Sequence, residues 1–309
     1  MAVLLFEILL WALVSPSFFT ATNLINIARA AAAIGIMAVG MLFVILTAGI
    51  DLSVGASVSL IGMVTASMVA AWDNALLALV VSLAAGALIG FVNGAIVAKF
   101  RVPALIVTLG TMYIATSGAQ LWNNGGPLPM RNETLRALGS FYVGPIPVPV
   151  IVWALVVLGG WWVLSQTTFG RHVNAVGGGF EAAQLTGIRI DRILTCVYVI
   201  SGVLAALASL LYVGRLATAS PLTGAGLELQ VIASVVVGGA SLFGGRGNIR
   251  DTVVGVLILT VLQNGLNLVG VSGFWQTMSL GIALLVAVLL SPEAALRTRL
   301  LSLFRKGSS

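Results

Sequence analysis

The sequence predicts an all-α polytopic membrane protein, and its composition and its apolar segments both lead to that fold class. Of the 309 residues, 59% are hydrophobic and only 8% are charged, whereas soluble domains carry about 25% charged residues. The charges divide the chain into apolar segments close to the ~20 residues that one helix needs to cross a bilayer. No stretch between them could form a sizeable soluble domain, so we expect a single transmembrane domain over residues 1–309.

About ten transmembrane helices fit these segments, and some are expected to be broken or re-entrant. We place the segments at residues 2–16, 31–49, 54–72, 75–98, 103–122, 147–166, 192–213, 229–245, 252–270 and 274–291. An even number of crossings puts both termini on one side of the membrane.

The basic residues favour an orientation with both termini in the cytoplasm. Eleven of the 15 Lys and Arg residues then fall inside and four fall outside, as the positive-inside rule expects. Those inside are Lys99, Arg101, Arg171, Arg189, Arg192, Arg246, Arg250, Arg297, Arg299, Arg305 and Lys306, and those outside are Arg29, Arg131, Arg136 and Arg215.

Asp51 is the single ionisable residue in the apolar block from residue 30 to residue 72. A carboxylate at bilayer depth costs roughly 2.5–3.5 kcal/mol on insertion scales, so Asp51 should lie in a turn between two helices or in a broken helix. It could cap the next helix by accepting from the amides of Ser53 and Val54. It could also face a translocation pathway, and the two roles are compatible.

Uncharged polar residues supply the other candidates for a pathway. Gln263, Asn264 and Asn267 share one helix face, because positions three and four apart are neighbours on a helix. Amides both donate and accept hydrogen bonds, which suits a neutral polyol, although helix–helix hydrogen bonding is the simpler alternative. With Asp51, the candidate pathway residues are Ser53, Asn93, Gln263, Asn264 and Asn267.

The sequence lacks the patterns of an enzyme. It contains no Gly-x-x-x-x-Gly-Lys-Ser/Thr loop for a nucleotide. Its one histidine, His172, has no Cys or carboxylate close in sequence, and a metal site needs several clustered ligands. We therefore predict no catalytic residue and no metal site. Cys196, in an apolar segment, is expected to be a buried thiol.

Two loops on the predicted outer side, residues 123–147 and 214–228, are longer than the rest. Loops of this length in a compact protein are usually functional or disordered, and the alternative is that they simply cap the bundle. Each carries opposite charges, namely Arg131 and Glu133 in the first and Arg215 and Glu228 in the second.

Residues 174–189 form the most distinctive loop on the predicted inner side. The glycines at 177–179 should break the chain, and a short helix should follow from Phe180 to Thr186, with Glu181 favoured near its N-terminus. Gly187 suits the position after the helix, where φ is often positive. So short a helix is not stable alone. It must dock on its own bundle or in the groove of a partner, with Ala182 and Ala183 allowing close approach.

Several motifs in fixed order give the chain a family resemblance. They are Met37-Ala38-Val39-Gly40-Met41, Gly49-Ile50-Asp51-Leu52-Ser53-Val54-Gly55, Asn93-Gly94 with Ile96-Val97-Ala98-Lys99, Glu181-Ala182-Ala183 with Leu185 and Gly187-Ile188, Val236-Val237-Gly238-Gly239-Ala240-Ser241-Leu242 with Gly244-Gly245-Arg246-Gly247, and Asn264-Gly265-Leu266-Asn267-Leu268 with Gly270-Val271-Ser272. Together they resemble the permease subunit of bacterial ABC sugar importers of the ribose/xylose/galactose type.

This resemblance implies a multi-pass protein of the bacterial inner membrane, surrounded by lipid, that imports a monosaccharide or related polyol. It implies a second permease chain, a cytoplasmic ABC ATPase that binds ATP and Mg, and a periplasmic sugar-binding protein. It implies neither a cofactor in this chain nor a nucleic-acid partner. The ATPase would contact Gly179, Phe180, Glu181, Ala182, Ala183, Leu185 and Gly187, and the binding protein would dock near Arg131, Glu133, Arg215 and Glu228.

The alternative is an ion-coupled secondary sugar carrier that acts alone. Such carriers more often bury several carboxylates or histidines within the membrane, and this sequence offers few. The sparse intramembrane charge therefore favours the ATP-driven importer.

Overall fold

The computed structural model describes residues 1–289, and within them the chain forms helices joined by short loops and a few two-residue strands. The helices are α1 (Ala2–Val14), α2 (Ala21–Leu46), α3 (Ser53–Trp72), α4 (Ala75–Phe100), α5 (Ala104–Trp122), α6 (Glu133–Ser140), α7 (Val148–Gln166), α8 (Thr168–Gly178), α9 (Phe180–Leu185), α10 (Ile190–Leu216), α11 (Leu227–Val237), α12 (Ile249–Leu268) and α13 (Gly273–Leu289). The strands are β1 (Leu128–Pro129), β2 (Tyr142–Val143), β3 (Ile146–Pro147) and β4 (Thr218–Ala219), paired β1 with β4 and β2 with β3.

Seven helices in the described range are long and apolar enough to cross a membrane, namely α2, α3, α4, α5, α7, α10 and α12. Three more are apolar but shorter, namely α1, α11 and α13. The protein is therefore an all-α, multi-pass membrane protein.

Two predicted segments differ from the helices that form. α2 begins at Ala21, ten residues before the predicted start, because the Thr20 side chain accepts from the Asn23 amide and caps it; Arg29 therefore lies within a helix. The predicted segment 229–245 is wrong in its second half, because α11 ends at Val237. Glycines 239, 244 and 245 there take positive φ, which is incompatible with a continuing helix.

Other predictions concern residues that the structure does not describe. The last two residues of the tenth predicted segment, 290 and 291, lie outside the described range, and so do Arg297, Arg299, Arg305 and Lys306.

α2 forms the centre of the bundle, and α10 packs between it and α4. Gly40 of α2 lies against the backbone of Ser201 in α10. α4 faces α10 with small residues that recur every four positions, which are Ala78, Ser82, Gly86, Gly90, Gly94 and Ala98. A Cβ at Gly86 would overlap the carbonyl oxygen of Gly202, so the two backbones touch, as small residues allow between membrane helices.

The bundle has two distinct ends. At the first, which we call the loop end, residues 123–147 contact other elements: Asn132 Nδ2 donates to Asp73 at 2.9 Å, and Arg29 donates to the Ser140 carbonyl at 3.1 Å. At the opposite, short-helix end, α8 and α9 precede the start of α10, and the Arg101 guanidinium lies 5.7 Å from the centre of the Phe180 ring.

Two helices begin inside the bundle rather than at its ends. α3 starts at Ser53 beside Ser201, near the middle of α10. Before α11, residues 217–226 descend from the loop end until the Gly224 amide donates to Ser59 Oγ at 2.9 Å. Irregular backbone at such depth is tolerated where protein surrounds it. The start of α11 thus lies against the first turns of α3.

Candidate functional site

Asp51, Ser53 and Asn93 share one buried hydrogen-bond network at the break between α2 and α3. Asp51 Oδ1 accepts from the Ser53 amide at 3.0 Å and from Ser53 Oγ at 2.6 Å, and Asp51 Oδ2 accepts from Ser201 Oγ at 2.8 Å. Asn93 Nδ2 donates to Ser53 Oγ at 2.9 Å, and Asn93 Oδ1 accepts from Thr111 Oγ1 at 2.6 Å. The network therefore joins the break to α4, α5 and α10.

The network is closed to its surroundings. Asp51 is 2% exposed and Asn93 is fully buried. The predicted cap forms at the Ser53 amide, whereas the Val54 amide is not among the donors that Asp51 has in the described range. Because both oxygens of the carboxylate have partners, the geometry can fix the start of α3 without a ligand.

Gln263, Asn264 and Asn267 lie apart from this network, on a polar cavity of about 480 Å³ at the loop end. The predicted shared face of α12 is present, because all three line the same cavity. Asn264 exchanges a reciprocal pair of hydrogen bonds with Asn23 of α2, at 3.0 and 2.8 Å. Gln263 Oε1 accepts from Gln230 of α11 at 2.6 Å. Asn264 and Gln263 thus make helix–helix hydrogen bonds, and the pathway role of the cluster stays a prediction.

The predicted short helix in 174–189 forms as α9, and Gly187 after it has a φ of +82°. The predicted break in the glycine run occurs at Gly179 alone, because α8 continues through Gly177 and Gly178 and α9 begins at Phe180. Tertiary packing explains the difference. A Cβ at Gly177 would overlap the Leu46 carbonyl oxygen, so glycine there lets α8 approach the end of α2 closely.

α9 presents most of its surface to the outside of the chain. Glu181 and Ala182 are exposed, and Leu185 is 90% exposed. Ala183 is buried against its own bundle, so the expectation that it gives close approach to a partner is wrong. The other residues of α9, with Leu185 the most exposed of them, therefore form a small projecting surface at the short-helix end.

Three of the four charged residues proposed for docking lie exposed at the loop end, namely Arg131, Glu133 and Arg215. Glu228 is only partly exposed, and its carboxylate lies against Gly55 in the first turn of α3. Arg215 also lines the amide cavity. Glu228, in contrast, lies away from the exposed surface that the other three share.

Sequence reasoning missed several residues that complete these sites. Nothing in local spacing links Ser201 to Asp51, 150 positions away. Asn23 and Asn26 carry a signal that could have been used, since they lie three positions apart and both face the amide cavity. The buried thiol expected at Cys196 is wrong, because this side chain is exposed on the outer side of α10.

Comparison with known proteins identifies the family. The family described as "Branched-chain amino acid transport system / permease component" matches residues 23–289. The chain is 46% identical over 279 residues to the "Ribose import permease protein RbsC" of Escherichia coli (strain K12), covering 89% of this chain and 87% of the relative. It is 36% identical to the "Fructose import permease protein FrcC" of Rhizobium meliloti over 287 residues, 88% of this chain and 78% of the relative.

A third relative is the "L-arabinose transport system permease protein AraH" of Escherichia coli (strain K12), 36% identical over 276 residues, 89% of this chain and 84% of the relative. No solved structure matches the chain. The family match covers most of the sequence, and the three relatives align over 78–87% of their own lengths. The chain therefore belongs to the family of transport-system permease components described above.

Proposed function

We propose that this protein is the pore-forming permease subunit of an ABC importer that moves a monosaccharide or related polyol into the cytoplasm. The observation that carries the proposal is the 46% identity to a ribose import permease over 89% of the chain. The amide-lined cavity at the loop end supports the same substrate class, because neutral amides match sugar hydroxyls as donors and acceptors.

The loop end faces the periplasm in this proposal, and the short-helix end faces the cytoplasm of a bacterium with the chain in its inner membrane. Basic residues support this orientation. Seven described Lys and Arg residues lie toward the short-helix end, namely Lys99, Arg101, Arg171, Arg189, Arg192, Arg246 and Arg250, and four lie toward the loop end, namely Arg29, Arg131, Arg136 and Arg215. Counting α1, α11 and α13 gives about ten membrane helices with both termini in the cytoplasm.

A separate ATPase, which binds ATP and Mg, binds α9 and drives transport by moving it. The exposed Leu185 offers an apolar anchor, and Glu181 lies beside it on the same short helix. Phe180 is braced by the Arg101 guanidinium at 5.7 Å, and Arg101 follows α4 directly. A push on α9 would therefore reach α4, and through the α4–α10 contact the centre of the bundle.

Two permease chains together would form the pore, and a periplasmic binding protein would dock on the loop end. Arg131 and Glu133 are exposed there at the start of α6. The Asp51 network would hold the break between α2 and α3 in place, while the amides on α12 would contact the sugar. This chain carries out no covalent chemistry in the scheme.

Reconstitution tests the proposal. Proteoliposomes that contain the permease, its ATPase and its binding protein should take up sugar only while ATP is hydrolysed, and the permease alone should take up none. Uptake by the chain alone that stops when an ion gradient is collapsed would instead identify a secondary carrier.

A matched pair of glycine variants tests the role of α9 in coupling. Gly187 and Gly144 both have positive φ, +82° and +60°, but they lie at opposite ends of the bundle. Gly187→Val should distort the end of α9 and abolish ATP-driven uptake, whereas Gly144→Val should leave coupling intact. Glu181→Lys should also uncouple ATP hydrolysis from uptake without unfolding the bundle. Normal coupling in Gly187→Val and Glu181→Lys would refute this assignment.

A further inference from the structure

The cavity at the loop end is built by four helices that are far apart in sequence. One wall is a single face of α12, which contributes Thr260, Gln263, Asn264 and Asn267. The other walls contribute Asn23 and Asn26 from α2, Arg215 from α10 and Gln276 from α13. Its volume of about 480 Å³ lies within the roughly 300–1,000 Å³ of small-molecule sites.

Several polar side chains in this cavity are free to form hydrogen bonds with a ligand. Within the described residues, the side chains of Asn26, Asn267 and Arg215 are exposed and make no hydrogen bond to the protein. Gln276 donates to the Val271 carbonyl at 2.8 Å, which leaves its side-chain oxygen free. This pattern contrasts with the Asp51 network, in which both carboxylate oxygens are satisfied.

Thr260 gives an independent sign of a missing ligand. Its side chain lines the cavity and is only 3% exposed, yet its hydroxyl has no hydrogen-bond partner in the described part of the protein. Buried hydroxyls are nearly always paired, and an unpaired one lowers stability. A threonine in a helix can usually donate to the carbonyl four residues earlier, so this orphan hydroxyl is informative.

The charge of the lining restricts the ligand. The lining contains amides, one hydroxyl and the guanidinium of Arg215, and no carboxylate. Amides and hydroxyls both donate and accept, whereas Arg only donates. A polyhydroxylated neutral molecule offers the oxygens that such a set requires, and a cationic amino sugar would be repelled by Arg215.

We infer that this cavity binds a neutral monosaccharide at the loop end of the permease, an inference that rests on the proposed function. Thr260, Asn267 and Asn26 supply hydrogen bonds that the protein itself leaves unmade, and Arg215 donates to adjacent sugar oxygens. The site lies on one chain, above the breaks that start α3 and α11. Sugar released at the loop end would therefore be held here before it moves inward.

Protection of introduced cysteines from a thiol reagent tests the inference. Because the chain has one cysteine, Cys196, a Cys196→Ser background lets Asn267→Cys and Asn26→Cys report on two different walls. Ser165→Cys, at an exposed position at the opposite end that the proposal places in no binding surface, serves as the control. Each variant is assembled with the ATPase and binding protein in proteoliposomes and labelled with a methanethiosulfonate reagent, with or without ribose, fructose or arabinose.

The sugar that is taken up should slow labelling at positions 267 and 26 at least threefold and leave labelling at position 165 unchanged. ATP-driven uptake with no protection at either cavity position would overturn the cavity assignment while the proposed function stands. Equal protection at position 165 would also overturn it, because the effect would not be local. If the transporter takes up none of the three sugars, the proposed function fails and the cavity assignment falls with it.

Discussion

Replacing Asp51 should separate a structural role for its hydrogen bonds from a role for its charge. Three hydrogen bonds end on this carboxylate, from the Ser53 amide, Ser53 Oγ and Ser201 Oγ. At about 1 kcal/mol net for each bond, Asp51→Ala should lower the free energy of unfolding by about 3 kcal/mol. Asp51→Asn keeps one acceptor oxygen for both Ser53 donors, and its amide can donate to the Ser201 hydroxyl, so its loss should stay below ~1 kcal/mol.

Ser201→Ala completes the test from the other side of the contact. It leaves Asp51 Oδ2 buried without a partner, which should cost roughly 1–3 kcal/mol. Ser165→Ala is a matched control, since Ser165 is exposed and donates only to the Trp161 carbonyl of its own helix. Its effect should stay within about 0.5 kcal/mol, as for most surface changes.

The measurements are reversible unfolding in mixed detergent and SDS micelles, and sugar uptake in proteoliposomes. Equal destabilisation by Asp51→Asn and Asp51→Ala would refute the hydrogen-bond argument, because the negative charge is the only feature that both variants lack. If Asp51→Asn keeps its stability but loses uptake, Asp51 acts in the pathway, and the closed network does not describe its whole role.

Three further predictions, the first with a matched control, test other parts of the structure. Gly224→Ala should lower the free energy of unfolding by roughly 1–3 kcal/mol through overpacking, because its Cβ would overlap the Gly55 carbonyl oxygen. Its control is Gly110→Ala, at a helix position with open space around it, which should raise the free energy of unfolding by ~0.5–1 kcal/mol. Equal unfolding curves for the two variants would contradict the close contact at Gly224. Leu185→Asp should weaken ATPase binding roughly 10–100-fold, from the ~1.5–3 kcal/mol of a buried leucine, with unfolding unchanged; undiminished ATPase co-purification would argue against an anchor there. Thr260→Val should raise the free energy of unfolding by ~1 kcal/mol, because it removes an unpaired buried hydroxyl, and weaken sugar protection of the cavity; a destabilised protein would show that the hydroxyl is paired after all.

Local features of the fold followed from local sequence. Apolar segments between charges located the membrane helices, because each segment must bury its backbone polar groups in its own hydrogen bonds. Gly187 was expected at a positive φ after a short helix, and it is found there. The shared face of Gln263, Asn264 and Asn267 required only the helical period.

Features that depend on depth within the bundle could not be read in this way. The segment 229–245 carries no charged residue, yet α11 is short because residues 217–226 enter the bundle and 238–248 pack against the end of α2. Hydropathy reports that a segment is buried in something apolar, but not whether it crosses the whole membrane. In the same way, Cys196 has apolar neighbours along the chain but lies on the face of α10 that the rest of the chain leaves uncovered.

The sequence by itself determined the fold class, most of the helices and the family, because these are properties of composition, period and motif order. Only the tertiary structure decided which polar groups come together: Asp51 is hydrogen-bonded to Ser201, and Thr260, Asn267, Asn26 and Arg215 line one cavity. Such meetings depend on how helices pack, and packing is set by contacts between residues that lie far apart in the chain. The closed network and the open cavity contain similar residue types, so only their surroundings distinguish a structural cluster from a candidate binding site.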